Sequence, residues 1–203
     1  PQANVRNSGI VIDTTAVAGT DTVTVTSASN NHGNTSLNVI AGTEAGDVIT
    51  IDGTTTFSGT TTLDAKTINL NANVTNAVTG TTATSVNVAS PGQIQDGIDV
   101  SADGSTVNIA SGSYTGDVNT SAKSVTLDPA GTVASTGTWT LDNNDTLNVA
   151  INGTTPGTQY DQIDVTGSIA LGGAILNATG TYTPTTADTF EIIKATGAVT
   201  GSL

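Results

Sequence analysis

The chain has 203 residues, enough for one ordinary domain or an elongated stack of short β-coils. Only 10% of its residues are charged and 3% aromatic, while Thr makes up roughly a fifth of it and 23 residues are Gly, a composition that excludes an ordinary helical enzyme. Seventeen acidic side chains against four basic ones give a formal charge of −13, so nucleic acid and an anionic lipid surface would be repelled.

Strand and turn are expected throughout, because Thr and Val suit a pleated surface and the strong helix formers are scarce or absent. With neither Cys nor Met there is nothing to cross-link or oxidise, which fits an extracellular or cell-surface bacterial protein. No apolar run reaches the length of about 18 residues that a membrane span needs, and no signal-like segment opens the sequence, so membrane insertion is not expected.

From the N-terminus, residues 1–83 read as β-rich rungs. Asp21–Val25 (DTVTV) and Asp47–Ile51 (DVITI) are short strands entered through Asp, as are Asp145–Val149, Asp161–Val165 and Asp188–Ile192 further on. Each alternates apolar and polar residues, so one face packs and the other is wetted. The sole histidine, His32, sits in the polar run 30–34 and reads as a solvated turn residue.

Apolar pairs recur at Ile49/Ile51, Ile68/Leu70, Val86/Val88, Val107/Ile109 and Val125/Leu127. Their step of about 20 residues is in the range of solenoid repeats, where each coil buries its apolar face against the next. Residues 84–138 are read as such coils, with a helix of at most two turns near 92–98, where Ile94 and Ile98 are four apart after Pro91-Gly92. Residues 139–203 are read as further β coils or a cap.

Three stretches carry family resemblances. Residues 84–132, from Thr84-Ser85-Val86 through Ser113-Tyr114 to Leu127 and beyond, resemble the opening of a right-handed parallel β-helix of the pectate-lyase-like superfamily, which implies a short helix capping the first coils. Residues 139–203, with Gly157–Gly167, Ala170–Gly173 and Ala187–Ile193, resemble the end of autotransporter passenger adhesins. Residues 9–80, notably Thr60–Asn73, resemble the rungs of filamentous-haemagglutinin-like exoproteins.

The solenoid fold hosts lyases, hydrolases, tailspikes and passive stalks, so function has to come from side chains. A lyase of the superfamily would be expected to use Asp-bound calcium and a basic residue. Arg6, Lys66, Lys123 and Lys194 are scattered, and none lies in an acidic cluster. A glycosidase needs two carboxylates, and Asp142 with Asp145 or Asp161 with Asp164 are the local pairs, although Asp142-Asn143-Asn144-Asp145 reads more simply as a turn.

The same four aspartates are the candidate ligands for calcium, the one ion that an Asp- and Asn-rich chain suits. Trp139 and Tyr114 are the candidate stacking faces for surface glycans, weighed against burial of Trp139 within the alternating run 138–141.

The expected fold is therefore all-β, a right-handed parallel β-helix with a C-terminal β cap or small β-sandwich-like region. The expected function is a secreted or cell-surface structural and adhesive protein, not an enzyme, that pairs end to end with copies of itself into a fibre or matrix. The alternatives are a glycan-binding or glycan-cleaving module and a phage tail-fibre segment.

Overall fold

A computed structural model describes residues 10–15, 19–26, 28–29 and 36–203. Arg6 and His32 lie outside the described residues. Among the described residues no helix is long and apolar enough to cross a membrane.

The chain is mostly strand, with one helix. Before the helix come β1 (Ile10–Asp13), β2 (Thr22–Val25), β3 (Ala28–Ser29), β4 (Leu37–Ile40) and β5 (Val48–Ile51). They are followed by β6 (Thr55–Thr56), β7 (Thr61–Asp64), β8 (Thr67–Leu70), β9 (Val78–Thr79) and β10 (Ala83–Val88). Helix α1 is Ile94–Val100.

After it come β11 (Ser101–Ile109), β12 (Gly112–Thr115), β13 (Val118–Asn119), β14 (Val125–Pro129), β15 (Thr132–Thr136) and β16 (Trp139–Thr140). The chain continues through β17 (Thr146–Ala150), β18 (Gln162–Thr166), β19 (Ile169–Ala170), β20 (Ile175–Thr179), β21 (Ile193–Ala195) and β22 (Val199–Thr200).

An eight-stranded sheet, ordered β2-β5-β8-β10-β11-β14-β17-β20, runs through the described structure. The others are β1-β4-β7-β9, β12-β15-β18-β21, β13-β16-β19-β22 and the pair β3-β6. Every pairing between these strands is parallel. Parallel neighbours cannot be joined by a tight hairpin. Each strand accordingly meets its partner only after a longer connection, through strands of the other sheets or, between β10 and β11, through α1.

Alternation sets which side chains turn inward. Ile49, Ile68, Val86, Val107, Leu127 and Leu147 form one register column, all buried, and Ile51, Leu70, Val88 and Ile109 form a second. The apolar spacing in the sequence paired Val125 with Val107, but the structure pairs Leu127 with Val107 and Val125 with Ser105. The slip is two residues, so the parity of in and out is preserved and Val125 stays buried.

Helix α1 is seven residues, about two turns, and begins two residues later than its sequence signal. Ile94, Gly97, Ile98 and Val100 are its buried face. Gly97 lies so close to the sheet that a Cβ there would come within 2.5 Å of Val88 Cγ2.

The helix does not cap the first coils, as the superfamily resemblance implied. It touches β7 and β9 on one side and β13 on the other, with β10 and β11 alongside. Strands lie on both sides of it because the eight-stranded sheet passes it without interruption.

Lys123 pins the helix end. Its Nζ donates to the carbonyls of Gly80 at 3.0 Å and Asp99 at 2.8 Å, and to that of Ser101. The carbonyls at a helix C-terminus lack intrahelical donors, and a cation is favoured there.

The expected boundary at 138/139 has no counterpart in the strand pairing. Across it β14 pairs with β17, β15 with β18 and β16 with β19, so residues 139–203 extend the same sheets and form no separate sandwich.

Candidate functional site

The four aspartates singled out in the sequence do not converge. Asp145 is fully buried; its Oδ2 accepts the Asp142 N–H at 2.8 Å and the Thr120 hydroxyl, and its Oδ1 accepts the Val125 N–H at 3.3 Å. Asp142 Oδ1 accepts the Asn144 N–H at 2.8 Å, the self-bonded turn that the spacing suggested. Asp161 bridges two strands, accepting the Gly131 N–H at 2.6 Å on Oδ1 and the Ala150 N–H at 2.7 Å on Oδ2.

Asp164 pairs with Lys194 at 3.1 Å on the surface. The oxygens of Asp145 and Asp161 are taken by backbone donors, and Asp164 by a cation. Among the described residues no three His, Cys, Asp or Glu side chains are grouped to hold a metal.

Trp139 and Tyr114 are both buried. Trp139 is 1% exposed, stacked in register between Val118 and Ile169, and its Nε1–H donates to Ser135 Oγ at 3.1 Å. Tyr114 is 3% exposed, and its hydroxyl donates to the Ala110 carbonyl at 2.7 Å. Both rings fill the interior, where aromatic area is worth most, and neither offers a face to a sugar.

Two other features take their place, the first of them expected from the sequence and the second not. The first is the end of the stack. β20, β21 and β22 are each last in their sheets, so one backbone edge of each has no strand partner among the described residues. The buried apolar columns surface there: Leu176 follows Leu147 and is 36% exposed, and Val199 follows Ile169 and is 51% exposed. Ile175, also on β20, is 58% exposed, and at the opposite end Ile10 and Val11 on β1 are exposed.

The second is the outward face of the eight-stranded sheet, where amide side chains are bonded in one direction along the stack. Asn69 Nδ2 donates to Thr50 Oγ1 at 3.0 Å, Asn87 Nδ2 to Asn69 Oδ1 at 2.7 Å, and Asn108 Nδ2 to Asn87 Oδ1 at 2.9 Å. Beyond Asp128 the column resumes with Asn177 Nδ2 donating to Asn148 Oδ1 at 2.9 Å. Asp128 borders a shallow cavity of about 420 Å³ with Asn87, Asn108 and Asp161. Burial and then the charge of Asp161 push its carboxyl above the usual range, against the hydrogen bond from Asn148.

A second cavity, about 370 Å³, is bordered by Asp21, Glu44, Asp47 and Asp64. Asp47 is committed to the backbone in the same way as Asp145. On α1, Asp96 has a buried Oδ2 without a partner, and burial followed by the neighbouring Asp99 charge pushes its pKa to about 7.

Family models, curated proteins and solved structures were compared with the chain and none matches.

Proposed function

We propose that the chain is a right-handed parallel β-helix acting as a secreted or cell-surface structural and adhesive element, which associates end to end with further copies into a fibre. The hand follows from the rule that parallel strands joined by a crossover connect right-handedly in about 98% of cases. The observation that carries the reading is the parallel register itself: Ile49, Ile68, Val86, Val107, Leu127 and Leu147 stay buried from strand to strand, a pattern that admits further strands of the same kind. Leu176 and Val199 continue columns that are buried wherever another strand lies above them, and the edges of β20, β21 and β22 present ready donors and acceptors for a further parallel strand.

A structural role is further supported by the fate of the ionisable groups. Asp47, Asp145, Asp161 and Lys123 are consumed by backbone hydrogen bonds inside the stack. Low charge and a Thr- and Asn-rich exterior suit a long, inert shaft.

Electron microscopy of the purified chain with and without a chelator tests the reading. Filaments in both conditions are expected, since the aspartates are already bonded. Single particles at every concentration would overturn end-to-end association, and filaments dissolved by the chelator would restore calcium to the junctions. Leu176→Asp should shorten the filaments without unfolding the subunit.

A further inference from the structure

Beside the amide column on the eight-stranded sheet runs a hydroxyl column two residues earlier in each strand. Thr67, Thr106, Thr126 and Thr146 occupy it, with Ser85 between the first two. All are half-buried, and the hydroxyls of these four threonines have no intramolecular hydrogen-bond partner among the described residues. The amides alongside are held in fixed orientations by their one-way bonds.

The two columns form a grid. Strand spacing sets a repeat of about 4.8 Å along the sheet and two residues of strand set about 6.7 Å across it, so the five strands of the hydroxyl column extend it over roughly 19 Å.

The chemistry of the grid narrows its occupant. It carries no Lys or Arg for a polyanion and no aromatic ring for sugar stacking, and Asp128 is its only ionisable side chain. Its large apolar side chains are confined to Val48 and Ile175, too few for the apolar core of a protein interface. What remains is a rigid, neutral lattice of hydroxyl, methyl and amide groups. Rigidity matters because the ordering of these groups has been completed in folding and is not repeated on binding.

We propose that this face binds ice, its hydroxyl and amide columns seating a layer of ordered water on the surface of the crystal. The reading uses only the register of one sheet and is independent of end-to-end association.

The test is ice-affinity partitioning and inhibition of ice recrystallisation by the full chain. Its variants are Thr106→Tyr with Thr126→Tyr, the single Thr106→Lys, and Thr140→Tyr on a different, exposed sheet face as control. Wild type and Thr140→Tyr should enter the ice phase and suppress recrystallisation. The double variant and Thr106→Lys should each lose about tenfold in effective concentration with unchanged far-ultraviolet circular dichroism. Absence of ice activity in the wild type overturns the proposal, as does full activity in a folded Thr106→Lys. Binding to crystalline cellulose or chitin without ice activity would assign the grid to a polysaccharide and overturn it equally.

Discussion

Asp47 and Asp145 stand in the same register column of the eight-stranded sheet and do the same work. Each accepts the N–H of the residue three before it, Glu44 at 2.7 Å and Asp142 at 2.8 Å. Each also accepts the N–H directly below it in the stack, Asp21 at 2.9 Å and Val125 at 3.3 Å. One carboxylate thus closes the turn that leads into its strand and ties that turn to the neighbouring strand of the sheet.

Removing such a carboxylate leaves buried donors unsatisfied. Asp145→Ala should cost about 2 to 4 kcal/mol and Asp145→Asn about 1 to 2, with Asp47→Ala similar, measured by urea unfolding. A calcium-ligand role would instead make wild-type stability fall in chelator, and no such fall is expected.

Lys123 joins the carbonyl of Gly80 to those of Asp99 and Ser101 at the helix end, though the sequence marks it only as one of three scattered lysines. Lys123→Met keeps the apolar stem and removes the ammonium. It should cost about 2 to 4 kcal/mol, and hydrogen exchange should accelerate first in α1.

Asp96 makes stability depend on pH. Its pKa is raised from the ordinary 3.8 to about 7, so its contribution is fully present below about pH 4 and is lost as pH rises through 7. Asp96→Asn should remove this loss, gaining about 2 to 3 kcal/mol over wild type at pH 8 and little at pH 4, the linkage value being reduced by partial exposure. Thermal unfolding across pH 4 to 8 reads the difference.

Trp139 fills the interior between Val118 and Ile169. Trp139→Ala should cost about 3 to 5 kcal/mol and leave any glycan-array signal unchanged once the variant is folded at low temperature. A selective loss of glycan binding in a stable variant would return the ring to the surface.

Alternation of apolar and polar residues placed Thr22–Val25, Val48–Ile51, Thr146–Ala150 and Gln162–Thr166, because a period of two reports directly on a half-buried strand, but Asp188–Ile192, read the same way, forms no strand and the pairing begins only at Ile193. The Asp that opens so many of the strands was visible as well, and Ile94 with Ile98 located the helix to within two residues. Asp142-Asn143-Asn144-Asp145 was readable as a turn, since an Asx side chain bonds its near neighbours in the chain.

What lay beyond the sequence were the relations between strands distant in the chain. The two-residue slip that pairs Leu127 with Val107, the burial of Trp139 and Tyr114, the wedging of α1 between strands on both sides, and the partners of Lys123 all depend on residues far away in the sequence. A sequence pattern specifies which way a side chain points from its own strand. Only the pairing of strands decides what it meets there, because register is settled by the summed packing of both neighbours and not by either strand alone.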